Sequence, residues 1–440
     1  MSGPPRLFGT DGVRGIAGEF LSAELGLSLG RAAAELAPAA QPQVLIVRDT
    51  RESGEMLESA LAAGIAAAGG HALLGGVLPT PGAALLVRRF GPDLAAVVSA
   101  SHNPYRDNGI KFFGGDGTKL GDDAEREIER LVAAAAATEA ANGRVRELHG
   151  AGGDYLRELQ SRFADLDLSG RRILLDCAHG ATYRVAPEIF RRLGAHAEAV
   201  AAEPDGRNIN DGVGSTHVEA LAERMTDGGF DAAFAFDGDG DRVLAVDRHG
   251  EVVDGDELIA LAALHLRASG RLPGDGVAVT VMTNYGFHRA MEAAGLHVAT
   301  TPVGDRHVLA ELLERDWALG GEQSGHIIDT GFVPSGDGIA SALLTLEALG
   351  DRDLADRDAM RKLPQRLVNV RVADRDALDG AAAVWDAVES ESKELEGRGR
   401  VLVRPSGTEP VVRVMVEAPD DDECERVTQR LVEVVERELA

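Results

Sequence analysis

The segment FAFDGDGDRVLAVD carries three carboxylates, Asp237, Asp239 and Asp241, spaced two apart directly after an apolar run. Alternate positions of an extended chain project to one side, so all three can converge on one ion. Gly238 and Gly240 add no side chains between them and let the backbone curl. An all-oxygen ligand set suits Mg2+ or Mn2+ far better than zinc. The spacing is not that of a calcium-binding EF-hand. Arg242 holds the loop position that needs Gly, and Arg248 the one that needs Glu. Three aligned carboxylates without a cation repel one another strongly, which weighs against a plain acidic turn. The segment reads as a metal site.

A second segment, VVSASHNPYRDNGIKFF, runs an apolar strand straight into Ser99, Ser101, His102 and Asn103, and Pro104 forces the chain to turn. A serine at the end of a buried strand is held rigidly and faces the cleft of an α/β unit. On local grounds alone, Ser and Asn in such a place also serve as caps or turn formers. No G-x-S-x-G surrounds the serine, so a hydrolase nucleophile elbow is not indicated. Lys111 follows in the apolar run GIKFF. Burial there would lower its pKa toward the range of a general base, while a surface lysine with its stem along the apolar run is the alternative.

Near the C-terminus, VLVRPSGTEPVVRVMVE places Arg404, Ser406, Gly407, Thr408 and Arg413 around one tight turn. Two guanidinium groups, two hydroxyls and several backbone N–H groups make a phosphate cradle. It is not a Walker A loop, and no dinucleotide-binding G-x-G-x-x-G lies on a strand–helix turn. GGEQSGHIID presents Glu322, Ser324 and His326 at alternate positions of an expected extended loop. That suits hydrogen bonds to adjacent sugar hydroxyls, with His326 available as acid or base; a Gly-rich turn with a solvated Glu reads equally well. In FGTDGVRG, Arg14 lies among glycines, where it could reach a phosphate or simply occupy a surface turn.

These segments need elements to hold them. Short apolar runs alternate with amphipathic helical runs, as in VLIVRDT, the helix over 53–69, HALLGGVLP and DLAAVVSA. The rhythm recurs from RRILLDCA to FDAAFAF, and again from DELIALAALHLRASG to GIASALLTLEALG. Strands separated by helices of this length favour parallel pairing through crossovers. The expectation is three related α/β units over 1–150, 151–254 and 255–366, with the serine, metal and sugar segments in turn. Residues 367–440 predict a smaller α+β domain, with strands VNVRVAD, VLVRPSG and VVRVMVEAP and helices over 381–395 and 421–439. The charged stretch DRDLADRDAMRKLP (351–364) reads as a hinge.

The chain has 440 residues, too many for one ordinary core, and a formal charge of −27. Such a charge repels nucleic acid and acidic lipid surfaces, so neither is an expected partner. An enzyme of this charge acting on anions must concentrate its basic groups locally. Its two cysteines, Cys177 and Cys424, lie far apart and suggest neither a disulfide framework nor a zinc site. Cys177 reads as a small buried hydrophobe. The N-terminal MSGPPRLFGTDG has no apolar core of signal-peptide length and no stretch approaches a membrane span, so the expected location is the cytoplasm.

Taken together, FGTDGVRG, SASHNP, DGDGDR, GEQSGH and RPSGTEP occur in the order and approximate spacing of the α-D-phosphohexomutase superfamily, and the chain resembles that family over its whole length. The resemblance implies three related α/β domains and a smaller fourth around a cleft. It implies that Ser101 is a phosphoserine, with Asp237, Asp239 and Asp241 holding Mg2+ against its phosphate and Arg242 beside them. Glu322 and Ser324 would grip sugar hydroxyls, and Arg404, Ser406, Gly407, Thr408 and Arg413 the phosphate not being transferred. Lys111, His326, Arg14 and His102 would give acid–base and electrostatic help. Gln323, TPVGDR and the C-terminal motif most resemble the branch that acts on glucosamine phosphates. That branch implies a hexosamine phosphate substrate, a glucosamine 1,6-bisphosphate intermediate or activator, and a homodimer as an allowed assembly. Mannose and glucose phosphates are the alternative substrates, and a non-catalytic sugar-phosphate binding protein the alternative class. His307 departs from the Tyr expected after VGDR and lies outside the catalytic motifs.

Overall fold

The computed structural model describes residues 6–9, 11–134, 142–406 and 410–439. Its first sheet contains β1 (Val13–Ile16), β2 (Gln43–Arg48), β3 (His71–Val77), β4 (Leu94–Val98), β5 (Asp107–Gly114) and β6 (Arg144–Glu147), in the order β1-β5-β4-β2-β3-β6. The second contains β7 (Arg172–Asp176), β8 (His196–Val200), β9 (Ala232–Phe236), β10 (Val243–Asp247) and β11 (Val252–Val253), in the order β11-β10-β9-β7-β8. The third contains β12 (Gly276–Thr280), β13 (His297–Thr301), β14 (Leu319–Gly321) and β15 (Ile327–Asp329), in the order β13-β12-β14-β15.

One four-strand order recurs in all three: β5-β4-β2-β3, β10-β9-β7-β8 and β15-β14-β12-β13. In each, three parallel strands joined by helical crossovers are followed by one antiparallel strand. The parallel strands are apolar because helices cover them: β4, β9 and β12 are buried at every position. The antiparallel strand returns through a short loop at the end of the last parallel strand. Those three loops hold Ser101, the DGDGD segment and the GEQSGH segment. Equivalent places in three related units therefore carry the three motifs, and the expected mixed α/β architecture is the one observed.

The fourth sheet is antiparallel throughout, with β16 (Gln365–Arg371), β17 (Arg400–Pro405) and β18 (Val411–Glu417) in the order β16-β18-β17. The helices Ala382–Glu394 and Asp421–Leu439 contribute Val384, Cys424, Val427, Leu431 and Val435 to its core. The chain forms two compact units. One takes the chain up to Val281 together with His297–Arg357, and the other takes Met282–Leu296 together with the chain from Asp358. The helix Tyr285–Ala293 thus belongs with the C-terminal sheet rather than with the third α/β core. Buried Glu417 on β18 accepts the Tyr285 N–H at 2.8 Å and pairs with Arg400 at 2.7 Å. Among the described residues no helix is long and apolar enough to cross a membrane.

Candidate active site

Ser101 stands in the loop between β4 and β5 with its backbone in the left-handed region, at φ 52°. A residue with a Cβ holds that conformation only when its surroundings impose it. Arg51, fully buried, does so: it donates to the carbonyls of Ser101 and Asn103 at 2.8 Å each, to Asp107 at 3.0 Å, and to Pro104. Its own charge is met by Asp49 at 2.8 Å, and Asp49 in turn accepts from Ser99 Oγ at 2.6 Å. Asn210 adds a second donor to the Ser101 carbonyl at 2.9 Å. The backbone that carries the serine is thus held by two buried side chains.

Its hydroxyl donates to Asp237 Oδ2 at 2.5 Å. Asp237, Asp239 and Asp241 are all buried, and their ligand oxygens lie within 4.8 Å of one another. The segment is a tight turn rather than the extended chain expected. Gly240 takes φ +73°, and a Cβ on Gly238 would meet the Ser101 carbonyl at 2.5 Å. The turn therefore packs directly on the serine loop, which alternate side-chain projection alone would not have required. Burial, and then the Asp241 and Asp239 charges, hold the Asp237 carboxyl well above the usual range. Asp239 Oδ1 and Asp241 Oδ1 are buried with no hydrogen-bond partner among the described residues. Orphaned carboxylate oxygens converging on one point are what a hard divalent cation satisfies, so the donor set fits Mg2+. Thr80, at the start of the helix Thr80–Phe90, fixes Asp239 from behind at 2.6 Å.

Lys111 corrects an expectation. Burial alone would pull its pKa down, but Asp11, Asp239 and Asp241 together outweigh that and hold the ammonium charged. Its Nζ lies 3.0 Å from Asp11 and 3.0 Å from Asp239. The two carboxylates favour its charged form, against the lowered pKa expected from burial alone. Arg14 pairs with the same Asp11. His102 Nδ1 lies 3.3 Å from Ser101 Oγ. Burial, then the charges of Arg242 and Arg14, push its pKa down to about 4, so the ring is neutral at neutral pH.

The GEQSGH segment is a hairpin turn between β14 and β15, again not an extended loop. Gly325 N–H donates to the Glu322 carbonyl at 3.0 Å, and Glu322 N–H donates to the His326 carbonyl at 3.0 Å. Glu322 and His326 therefore face each other across the hairpin, while Ser324 is exposed at its tip. Glu322 Oε1 accepts from Gly304 N–H at 3.0 Å. His326 is buried with both ring nitrogens engaged: Nε2 accepts from Gly336 N–H at 3.1 Å, and Nδ1 faces Asp241 at 3.5 Å. Gln323 turns to Asp254, at 3.1 Å, the cap of the helix Gly255–Ala268. A cavity of about 970 Å³ is lined by Arg14, Ser101, His102, Asp241, Arg242, Glu322 and His326, and Ser324 is not among its walls. His307, which lies outside the motifs, does line it.

In the other compact unit, pairing of β17 with β18 sets Arg404 directly opposite Arg413. Like charges across a strand pair cost stability, and an anion between them removes the cost. Burial, then the Arg413 charge, lower the Arg404 pKa. Arg413 reaches Ser406 Oγ at 3.4 Å, and Arg375 donates to the Ser406 carbonyl at 2.6 Å. Gly407 and Thr408 lie outside the described residues.

Sequence reasoning missed Asp11, Asp49, Arg51, Thr80, Lys119 and Asn210. A signal existed for one pair, since RDTR at a strand end puts Asp49 and Arg51 where β4 and its serine end. The others act largely through distant partners: Thr80 on Asp239, Asn210 on Ser101, and Lys119 on Asp11 and Asp305.

Three repeated α/β units carry loops at matching strand ends, one bearing a serine against a buried carboxylate cluster able to hold a metal: the plan of a multidomain α/β protein with one metal-centred site. Residues 5–139, 153–250 and 254–367 match the alpha/beta/alpha domains I, II and III of phosphoglucomutase/phosphomannomutase, and residues 367–434 its C-terminal domain. The chain belongs to the phosphoglucomutase/phosphomannomutase family. It is 50% identical over 439 residues to the phosphoglucosamine mutase of Moorella thermoacetica, covering 98% of this chain and 99% of that one. With the phosphoglucosamine mutase of Rubrobacter xylanophilus it shares 51% over 441 residues, 98% of this chain and 97% of the relative. Its fold is similar to that of a phosphoglucomutase/phosphomannomutase family protein from Burkholderia thailandensis, with TM-score 0.82 at 23% identity over 98% of this chain and 97% of that one. It is also similar to the N-acetylphosphoglucosamine mutase of Aspergillus fumigatus, solved with GlcNAc-6P and magnesium, with TM-score 0.66 at 18% identity over 99% and 96%.

Proposed function

We propose that this chain interconverts glucosamine 6-phosphate and glucosamine 1-phosphate, using phosphorylated Ser101 and a glucosamine 1,6-bisphosphate that stays bound between two transfers. The observation that carries the reading is the Ser101 hydroxyl at 2.5 Å from Asp237 in a buried cluster of three carboxylates. The substrate class is supported by relatives at 50% and 51% identity over nearly the whole chain.

In the forward direction the sugar O1–P bond forms as the Ser101 Oγ–P bond breaks, and the O1 proton ends on Ser101 Oγ. After the bisphosphate turns over, the Ser101 Oγ–P bond forms again as the O6–P bond breaks, O6 takes the serine proton, and glucosamine 1-phosphate leaves. Phosphoryl transfer is mainly positioning and charge neutralisation, which suits these residues. Arg51 and Asn210 hold the serine loop in one conformation. Charged Lys111, with Arg14 and Arg242, offsets negative charge on the phosphoryl oxygens. Asp237, Asp239 and Asp241 would hold Mg2+, which when bound supplies positive charge beside the serine phosphate. Glu322 would orient the sugar hydroxyls at the cavity wall. Arg404, Ser406, Gly407, Thr408 and Arg413 would bind the phosphate that is not being transferred.

The test combines substrate and intermediate. The kcat/KM for glucosamine 6-phosphate should exceed that for glucose and mannose 6-phosphates, and intact mass should show about 80 Da on Ser101 from one phosphoryl group. Ser101→Ala should keep its fold and lose turnover by on the order of 10⁴-fold or more. Near-parental rates in that variant, or a clear preference for another sugar, refute the nucleophile or the substrate respectively.

A further inference from the structure

Resting on that reading, we propose that Lys119 is a positioning residue that keeps the bisphosphate intermediate in the cavity by pinning the first α/β unit to the third. Lys119 follows β5, and its Nζ lies 2.5 Å from Asp11 Oδ1. It also pairs with Asp305, the first residue of the helix Asp305–Arg315 in the third unit. The lysine side chain is 12% exposed, and each carboxylate 21%. The other oxygen of Asp11 holds Lys111 and Arg14, so the same contact that joins the two units also sets two cations of the site. One residue beyond Asp305, Arg306 pairs with Asp122 at 2.9 Å and with Glu125, both on the helix Asp122–Ala134 of the first unit. Lys119, Asp122, Asp305 and Arg306 all line the cavity that Ser101 faces. A seam of alternating charge thus closes one wall of that cavity between two units.

Two other roles for Lys119 fail on charge and chemistry. As a direct phosphate ligand it would have to give up one of the two carboxylates, one in each unit, that already meet its ammonium. As a pure stabiliser it is also poor, since an apolar contact of the same volume does as well or better than an ion triad taken out of water. What an ionic seam at a cavity wall does well is hold two walls in register by contacts that water can break and remake. A mutase needs that while its intermediate turns over, because bisphosphate that escapes leaves Ser101 without its phosphoryl group.

The experiment uses the whole protein, first loaded with glucosamine 1,6-bisphosphate and freed of excess, then given glucosamine 6-phosphate. Product and the phosphoryl mass on Ser101 are followed together. Lys119→Met should complete roughly tenfold fewer turnovers per phosphoryl group lost than the parent, and added bisphosphate should restore most of the rate. Lys119→Arg, which keeps both ion pairs, should behave close to the parent. The inference is overturned if Lys119→Met retains its phosphoryl group as the parent does, or if its rate stays low with bisphosphate added. Should that variant not fold, Arg306→Ala asks the same question at a side chain 25% exposed, with a smaller leak expected and an unchanged phosphoryl yield as the refuting result. A parent that shows neither mutase activity nor phosphorylated Ser101 would sink the underlying reading instead.

Discussion

The turn after β9 and the turn between β17 and β18 set the same electrostatic problem with opposite signs. One gathers Asp237, Asp239 and Asp241; the other opposes Arg404 and Arg413 across a strand pair. Each cluster is unfavourable by itself and becomes favourable with a counter-ion. They differ in how firmly they are held. The aspartates are buried and braced by Thr80, Lys111 and the packing of Gly238 on the serine loop. The arginines are only partly buried, on a hairpin of a small antiparallel sheet. A cation that stays needs a rigid cage, whereas a phosphate that must be released and rebound needs a more open one.

Chelation is the most severe way to break this contrast. Removing divalent cations should cost on the order of 10³-fold or more in rate, with Mg2+ restoring it. Mg2+ at about a hundred times its Kd should also add about 2.7 kcal/mol of stability, read as a raised Tm. Undiminished turnover in chelator would remove the cation from the site. Arg404→Ala or Arg413→Ala comes next. Each should raise KM by roughly 10- to 100-fold, the worth of about 1.5–3 kcal/mol for a charge-assisted hydrogen bond, with less change in kcat. An unchanged KM would show that the turn does not hold substrate phosphate. The smallest effect is expected at His102. With its pKa near 4 it takes up a proton only in acid, and it stays neutral from about pH 6 to 8. His102→Gln should therefore leave the shape of the pH–rate profile in that range as it was. A lost limb there would make His102 an acid–base group.

Much of the architecture was legible because it is written in short-range pattern. The buried runs LAAVV, AAFAF and GVAVT are strands, and the expected C-terminal helix over 421–439 is Asp421–Leu439. Cys177 is buried, and its burial pushes the thiol up to about 12, as suits an inert core residue. Local pattern failed where the outcome depended on a distant partner. Lys111 looked like a residue whose pKa burial would lower, yet Asp11 and Asp239 keep it charged. Ser324 alternates with Glu322 and His326 along the chain, but a hairpin turn sends it outward. The helix Tyr285–Ala293 reads as part of the third unit and instead packs with the C-terminal sheet through Glu417.

By itself, then, the order of residues determined which parts exist: a serine at a strand end, three carboxylates two apart, a turn flanked by arginines, and three repeats of one strand–helix rhythm. Spacing and hydropathy act over a few residues, so a linear reading suffices for them. Only the tertiary structure decided that Ser101 meets Asp237 across 136 positions, that Lys111 meets Asp239 across 128, and which of these groups keeps its charge. Charge state follows from burial and from neighbours in space, and those are chosen by how the sheets pack.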